Sequence, residues 1–181
     1  MNLRKLQLKD ARLMLEWMQN RAVVEDLQAD FGNKTIADCN AFITKSWSDR
    51  ENFHLAIVDD TDTYMGTVSL KNIQKDRKQA EFAIAVRLCA MGTGISKYAM
   101  EEIIRKGFEE LDLERIYWYV SSNNKRALRF YEKNGYRRMN MSDIAFVLGG
   151  VRHLCICVRL VSGGKISQNN FSFGSLLEKY S

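Results

Sequence analysis

The sequence predicts a single α/β domain of the α+β kind, a mixed and mostly antiparallel sheet flanked by helices. Three observations lead there. The apolar periodicities run in the order strand, two helices, three strands, helix, strand, helix, two strands. The three consecutive strands are separated only by short polar turns, so they form hairpins and the sheet is not all-parallel. The chain has 181 residues, 46% hydrophobic and 27% charged, which suits one globular domain with a sizeable core.

Each element has its own justification. "NLRKL" near the start alternates apolar and polar residues as a short strand. Asp10 is placed to cap a helix over "ARLMLEWMQNR", where Leu13, Met14, Trp17 and Met18 make an apolar stripe. A second helix starts after Thr35, whose T-x-x-D spacing to Asp38 is that of a capping box, and it carries Phe42, Ile43 and Trp47. "FHLAIV", "YMGTVSLKNI" and "AEFAIAV" are strands, joined by the turns "DDTDT" and "QKDRK". A long amphipathic helix follows from Ile95 to about Leu111, then the aromatic, β-branched strand "RIYWYV". "NNKRALRFYEKNGY" reads as a short helix capped by Asn and closed at Gly135. "IAFVLGGVRHLCICVRL" reads as a hairpin turning at Gly149–Gly150. Proline is absent, so turns rest on Gly, Asn and Asp.

Composition narrows the function. The formal net charge of +5 and a pI near 9.0 suit a polyanionic ligand. No clustered Lys/Arg stripe with interleaved aromatics supports a nucleic-acid interface, and "KDRK" reads as a solvated hairpin tip. The N-terminal stretch has charges throughout and no apolar run is long enough for a membrane span, so the expectation is a cytoplasmic protein with reduced thiols. Cys155 and Cys157 share a strand face and read as packing residues, with no metal site expected. His54 and His153 sit in strand-like runs as ordinary residues, and no Ser/His/Asp or Cys/His arrangement is visible.

The stretch "CAMGTGISKYAMEEI" places Gly92 and Gly94 directly before a helix. It lacks the third glycine of a dinucleotide fingerprint, and Lys97 is misplaced for a P-loop. Taken alone it is either a plain strand-to-helix turn or an anion cradle, in which the amides of Met91 to Ser96 converge at a helix N-terminus. Further on, helical spacing puts Asn124, Ala127, Leu128 and Tyr131 on one face. Leu128 and Phe130 read as core; Asn124 and Tyr131 carry polar groups that need partners.

Together these segments resemble the acyl-CoA-binding core of the GNAT N-acyltransferase superfamily. The family's loop pattern [QR]-x-x-G-x-[GA] is met at Gly92 and Gly94 and broken at Cys89. Its later pattern N-x-x-A-x-x-x-Y-E-x-x-G-[FY] is met at Asn124, Ala127, Tyr131, Glu132, Gly135 and Tyr136. "AEFAIAV" and its spacing to the loop look most like the branch that includes ribosomal-protein alanine N-acetyltransferases. The resemblance covers residues 1–160 as one acetyltransferase domain with a splayed central sheet, and leaves 161–181 as an extension, mobile or docked.

The resemblance implies acetyl-CoA as acyl donor and a primary amine, on a small molecule or a protein N-terminus, as acceptor. It implies the CoA pyrophosphate on backbone amides of Ala90, Met91, Gly92, Thr93, Gly94, Ile95 and Ser96. The pantetheine arm would pair with the strand edge Ala85, Val86, Arg87 and Leu88, with an amide near Val86 facing the oxyanion. It implies Tyr131 as general acid, with Asn124 and Ala127 beside the cofactor. Glu81 is either a general base acting through water or a solvated strand-end charge. Tyr117 and Tyr119 alternate with Ile116 and Trp118, and either pair could line the acceptor groove or be buried in the sheet. Glu25, Asp26 and Asp30 could attract a cationic amine or be solvated surface. A non-catalytic acyl-CoA-binding module is the alternative, and the expected state is a monomer or homodimer.

Overall fold

The computed structural model describes residues 1–25, 27, 31–136, 145–148, 151–161 and 165–167. Its contacts divide the chain into two units, Met1–Leu113 and Glu114–Ser181.

In the first unit, β1 (Asn2–Lys5), β2 (Phe53–Val58), β3 (Tyr64–Gln74) and β4 (Gln79–Val86) pair antiparallel in that order. Residues opposite one another share a face, so Leu55, Val68, Leu70 and Phe82 lie together, buried. Helix α4 (Ile95–Glu109) lies along β1, β3 and β4 and buries Ala99, Met100, Ile103 and Ile104. The opposite face carries His54, Ala56, Thr67, Ser69, Lys71, Glu81, Ala83 and Ala85. Ala56 and Ala85 meet a second apolar cluster built from Met14, Trp17, Val23, Cys39 and Ile43.

Three helix boundaries differ from the sequence pattern. Helix α1 (Ala11–Met18) stops early because Asn20 turns extended and caps a separate helix, α2 (Arg21–Val24), by accepting from the Ala22 amide at 3.1 Å. Asp10 does not cap α1 with its side chain. It is 1% exposed, holds Arg4 in a two-point ion pair at 2.8 Å on each arm, and accepts from the Gln7 amide. Helix α3 (Ile36–Ser46) has the expected capping box, with the Thr35 amide donating to Asp38 at 2.8 Å, but it ends before Trp47. The half-exposed Trp47 indole instead donates to the Leu6 carbonyl.

In the second unit, β5 (Arg115–Ser121) pairs antiparallel with β7 (Val151–Val161), which pairs with β6 (Ala145–Leu148). A short strand, β8 (Lys165–Ser167), adds to β7, so part of the expected extension is sheet. Helix α5 (Lys125–Lys133) closes at Gly135, whose φ of +82° lets the Tyr136 amide return to the Tyr131 carbonyl at 2.9 Å. The turn expected at Gly149–Gly150, and 161–181 apart from the β7 end and β8, lie outside the described residues.

Candidate active site

Strand β4 delivers the chain into the glycine loop. Ala85 and Val86 pair with Thr67 and Gly66 of β3, and the Arg87 amide adds one bond to the Met65 carbonyl at 2.8 Å. Leu88 then begins a 3-10 turn, Leu88–Ala90, so the expected strand edge of Ala85 to Leu88 is in strand only at Ala85 and Val86. Arg87 is tied down: its guanidinium holds Glu16 at 3.0 Å on two atoms, which raises its pKa, and donates to the Tyr64 carbonyl.

Gly92 and Gly94 both sit in the left-handed region, at φ +81° and +89°, and Gly94 is the N-cap of α4. A Cβ on either would meet nothing within 4 Å, so the backbone there faces open space. The amides of Ala90, Met91 and Thr93 donate to the carbonyls of Arg87, Leu88 and Ala90, and the Thr93 hydroxyl also turns inward to Ala90. Of the amides expected in the cradle, this leaves Gly92, Gly94, Ile95 and Ser96 with no backbone acceptor among the described residues. Four donors at a helix N-terminus over glycine carbons offer an anion both hydrogen bonds and the positive end of the dipole. Cys89 stands exposed on the 3-10 turn before them.

On the β4 face away from α4, Glu81 stands opposite Lys71 of β3. Its carboxylate accepts from Lys71 Nζ at 3.0 Å and from Asn72 Nδ2 at 3.1 Å, so it is a partnered half-buried group and not a solvated strand end. Small residues Ala83 and Ala85 follow on the same face, both half-buried. Beside them on β3, the Thr67 hydroxyl is engaged by Tyr64, itself held by the Trp17 indole, and Ser69 Oγ lies 2.7 Å from His54 Nδ1.

In the second unit, Asn124 Oδ1 accepts from the Ala127 amide at 2.8 Å, so this side chain's oxygen starts the helix. Its Nδ2 group has no hydrogen-bond acceptor among the described residues. One turn past the half-buried Ala127, Tyr131 is 7% exposed and packs its ring against Trp118 at 5.3 Å and against Phe130 and Tyr136. Burial pushes the Tyr131 phenol well above its ordinary pKa, so it is a protonated donor at neutral pH. Tyr117 is buried beside half-buried Tyr119, their rings 5.8 Å apart, while Ile116 and Trp118 are both buried.

A family model described as an acetyltransferase (GNAT) domain matches residues 1–137. The chain belongs to the GNAT acetyltransferase family. Solved structures carry the same fold. Spermidine N-acetyltransferase from Vibrio cholerae in complex with CoA and spermine matches with a TM-score of 0.75 at 21% identity, covering 87% of this chain and 94% of that one. A dodecameric structure of spermidine N-acetyltransferase from Vibrio cholerae matches at 0.69 and 21%, covering 87% and 92%. At such identities the likeness speaks for the fold alone. No curated protein matches the sequence. As a GNAT acetyltransferase, the protein is an acyl-CoA-dependent enzyme that moves an acetyl group from acetyl-CoA to an amine.

Among the described residues no cluster of His, Cys, Asp or Glu is placed to hold a metal ion, and no helix is long and apolar enough to cross a membrane. Cys155 and Cys157 are buried on β7, their thiols 3.8 Å from the carbonyls of Ile156 and Val158. Glu25 is exposed, whereas Asp26 and Asp30 lie outside the described residues. Sequence reasoning passed over His54, Ser69, Lys71 and Asn72. The signal that finds Lys71 and Ser69 is register: once "QKDRK" is taken as the hairpin turn, Lys71 falls opposite Glu81 and Ser69 opposite Ala83, whereas His54 comes opposite Ser69 only through a register shift between Ile57 and Val58.

Proposed function

We propose that the protein acetylates a primary amine bearing a single positive charge, of the kind found at a protein N-terminus, by direct attack on acetyl-CoA. The observation that carries the donor half is the set of amides at Gly92, Gly94, Ile95 and Ser96, with open space over both glycines. They would take the CoA pyrophosphate, with Ala90, Met91 and Thr93 shaping the loop. Ala85 and Val86 would lie along the pantetheine arm, with an amide near Val86 serving the oxyanion. Acetyl-CoA supplies the thioester carbon that the amine attacks.

Tyr131 is the acid for the leaving sulfur, supported by its being a buried phenol that is protonated at neutral pH. On the same helix, this reading gives Asn124 Nδ2 and the small Ala127 to the cofactor. Glu81 is the base, acting through water, with Lys71 and Asn72 fixing the carboxylate. The same ion pair supports the choice of acceptor. The carboxylates Glu81 and Glu16 already hold Lys71 and Arg87, which leaves them no spare charge for a long polycation. This favours the N-terminal-amine reading that the "AEFAIAV" resemblance implies. A polyamine acceptor is the second reading, favoured by the spermidine N-acetyltransferases that share the fold.

A free-thiol release assay with acetyl-CoA and a panel of an alanyl tetrapeptide, spermidine and glucosamine tests the proposal. Release with the peptide in preference to spermidine is expected, with the acetylated peptide found by mass spectrometry. Preference for spermidine replaces the first reading with the second. Acetyl-CoA binding with no release on any amine supports the non-catalytic module.

A further inference from the structure

The transferase reading leaves a proton unaccounted for. An amine that arrives as R–NH3+ and leaves as R–NH–CO–CH3 sheds two protons from nitrogen while the C–N bond forms and the C–S bond breaks. One proton equivalent ends on the CoA sulfur, by way of Tyr131 under the reading above. The other goes to solvent. Glu81 through water can collect one, and its carboxylate is already shared between Lys71 and Asn72.

We propose that His54, oriented by Ser69, is a second proton acceptor of the transfer reaction, taking one of the acceptor nitrogen's two protons on Nε2. The inference rests on the transferase reading and deepens it. His54 of β2, Ser69 of β3 and Ala83 of β4 form one row across the sheet. That row lies next to the row of Lys71 and Glu81, on the same face, one step closer to the glycine loop. Ala83, half-buried, offers only a methyl group there.

Ser69 is 6% exposed and its hydroxyl lies 2.7 Å from His54 Nδ1. If Nδ1–H donates to Ser69 Oγ, the ring is held in the tautomer whose Nε2 carries a bare lone pair. His54 itself is half-buried, with the Phe42 ring set edge-on at 4.8 Å, so the ring is held by this contact and by Ser69. The charged groups that face it are Asp49 from the loop before β2, Lys71 from β3 and Lys45 from α3. Burial is the main cause that holds its pKa below the ordinary value; the two lysines act the same way and Asp49 opposes them. The ring is therefore neutral and able to accept at neutral pH.

The proton balance closes. The N–H bond of the ammonium breaks and an N–H bond forms at Nε2, giving an imidazolium. Its proton passes to water before the next turnover. His54 is the group that meets the reacting nitrogen, directly or through one water, and Ser69 is a positioning residue.

Two arms test this. The chain has two histidines, so His153→Gln assigns the imidazole signals in a 15N NMR titration. The expected result is a His54 ring protonated at Nδ1, bare at Nε2, and titrating below about 6.5. A ring bare at Nδ1 and protonated at Nε2 at neutral pH overturns the proposal. In the second arm, His54→Gln lowers kcat/KM for the alanyl tetrapeptide roughly a hundredfold at pH 7. The loss shrinks as pH rises past about 8, where the α-amino group is already deprotonated. Ser69→Ala shows a smaller loss of the same pH shape, and Ser69→Thr, which keeps the hydroxyl, recovers it. Acetyl-CoA affinity by calorimetry stays unchanged in all three variants. A loss equal at every pH, or none, overturns the proposal. A wild-type protein that binds no acetyl-CoA and releases no thiol refutes the transferase reading instead, and the NMR arm still judges the His54–Ser69 pair.

Discussion

Replacing Gly94 with alanine separates the loop's structural role from its binding role. Gly94 has a φ of +89° and caps α4. A methyl group there meets no atom within 4 Å, so no packing is lost and no neighbour must move. The cost to the free protein is then the backbone strain of a left-handed alanine, about 1–2 kcal/mol. The same methyl group would project from the residue whose amide, with those of Ile95 and Ser96, is proposed to hold the pyrophosphate. A charge-assisted hydrogen bond contributes about 1.5–3 kcal/mol, so displacing one phosphate oxygen weakens acetyl-CoA binding by roughly tenfold to a hundredfold. Urea denaturation of the free protein measures the first quantity and titration calorimetry with acetyl-CoA the second. Unchanged acetyl-CoA affinity in a folded Gly94→Ala protein would refute the cradle. A stability loss well beyond the strain cost would show that the space over Gly94 is filled.

Other substitutions probe the frame that holds the loop. Gly66→Ala puts a Cβ 2.4 Å from the Ala85 carbonyl oxygen and 2.8 Å from Val86 Cα. Both are backbone atoms, so β3 and β4 must part where β4 enters the loop; a stability loss of about 1–3 kcal/mol in denaturant melts is expected, with weakened acetyl-CoA binding. Asp10→Ala leaves the largely buried Arg4 without its two-point partner, though Asp62 still bonds it, and should cost roughly 3 kcal/mol at neutral pH without changing acetyl-CoA affinity. His54 links stability to pH. Because its folded pKa is depressed, its contribution is present above the unfolded value and is lost as pH falls toward the folded one. His54→Gln should therefore flatten the acid side of the stability profile below about pH 6.5.

Much of the fold was legible because the signals were local. The capping box at Thr35, the closure at Gly135 and the strand periodicities each involve residues a few positions apart. The misread elements turn on distant partners. Asp10 has the residue type of a cap, but Arg4 and the Gln7 amide claim its carboxylate, and nothing in "QLKDAR" reveals that competition. Asn20 follows directly on the stripe that ends at Met18 and reads as more of the same helix, although it caps a separate one. The loop glycines were readable, whereas the amides consumed within the loop depend on a 3-10 turn at Leu88 that has no compositional mark. Lys71 beside Glu81, and Ser69 beside His54, required the strand register, which one residue of slip would have reversed.

The central claim is acetyl transfer with Tyr131 as the acid, and Tyr131→Phe tests it most directly. Phenylalanine keeps the ring that packs on Trp118 and removes only the hydroxyl. With saturating acetyl-CoA and a productive amine, kcat should fall roughly a hundredfold or more while the Kd for acetyl-CoA holds. A Tyr131→Phe enzyme with wild-type kcat would contradict the account.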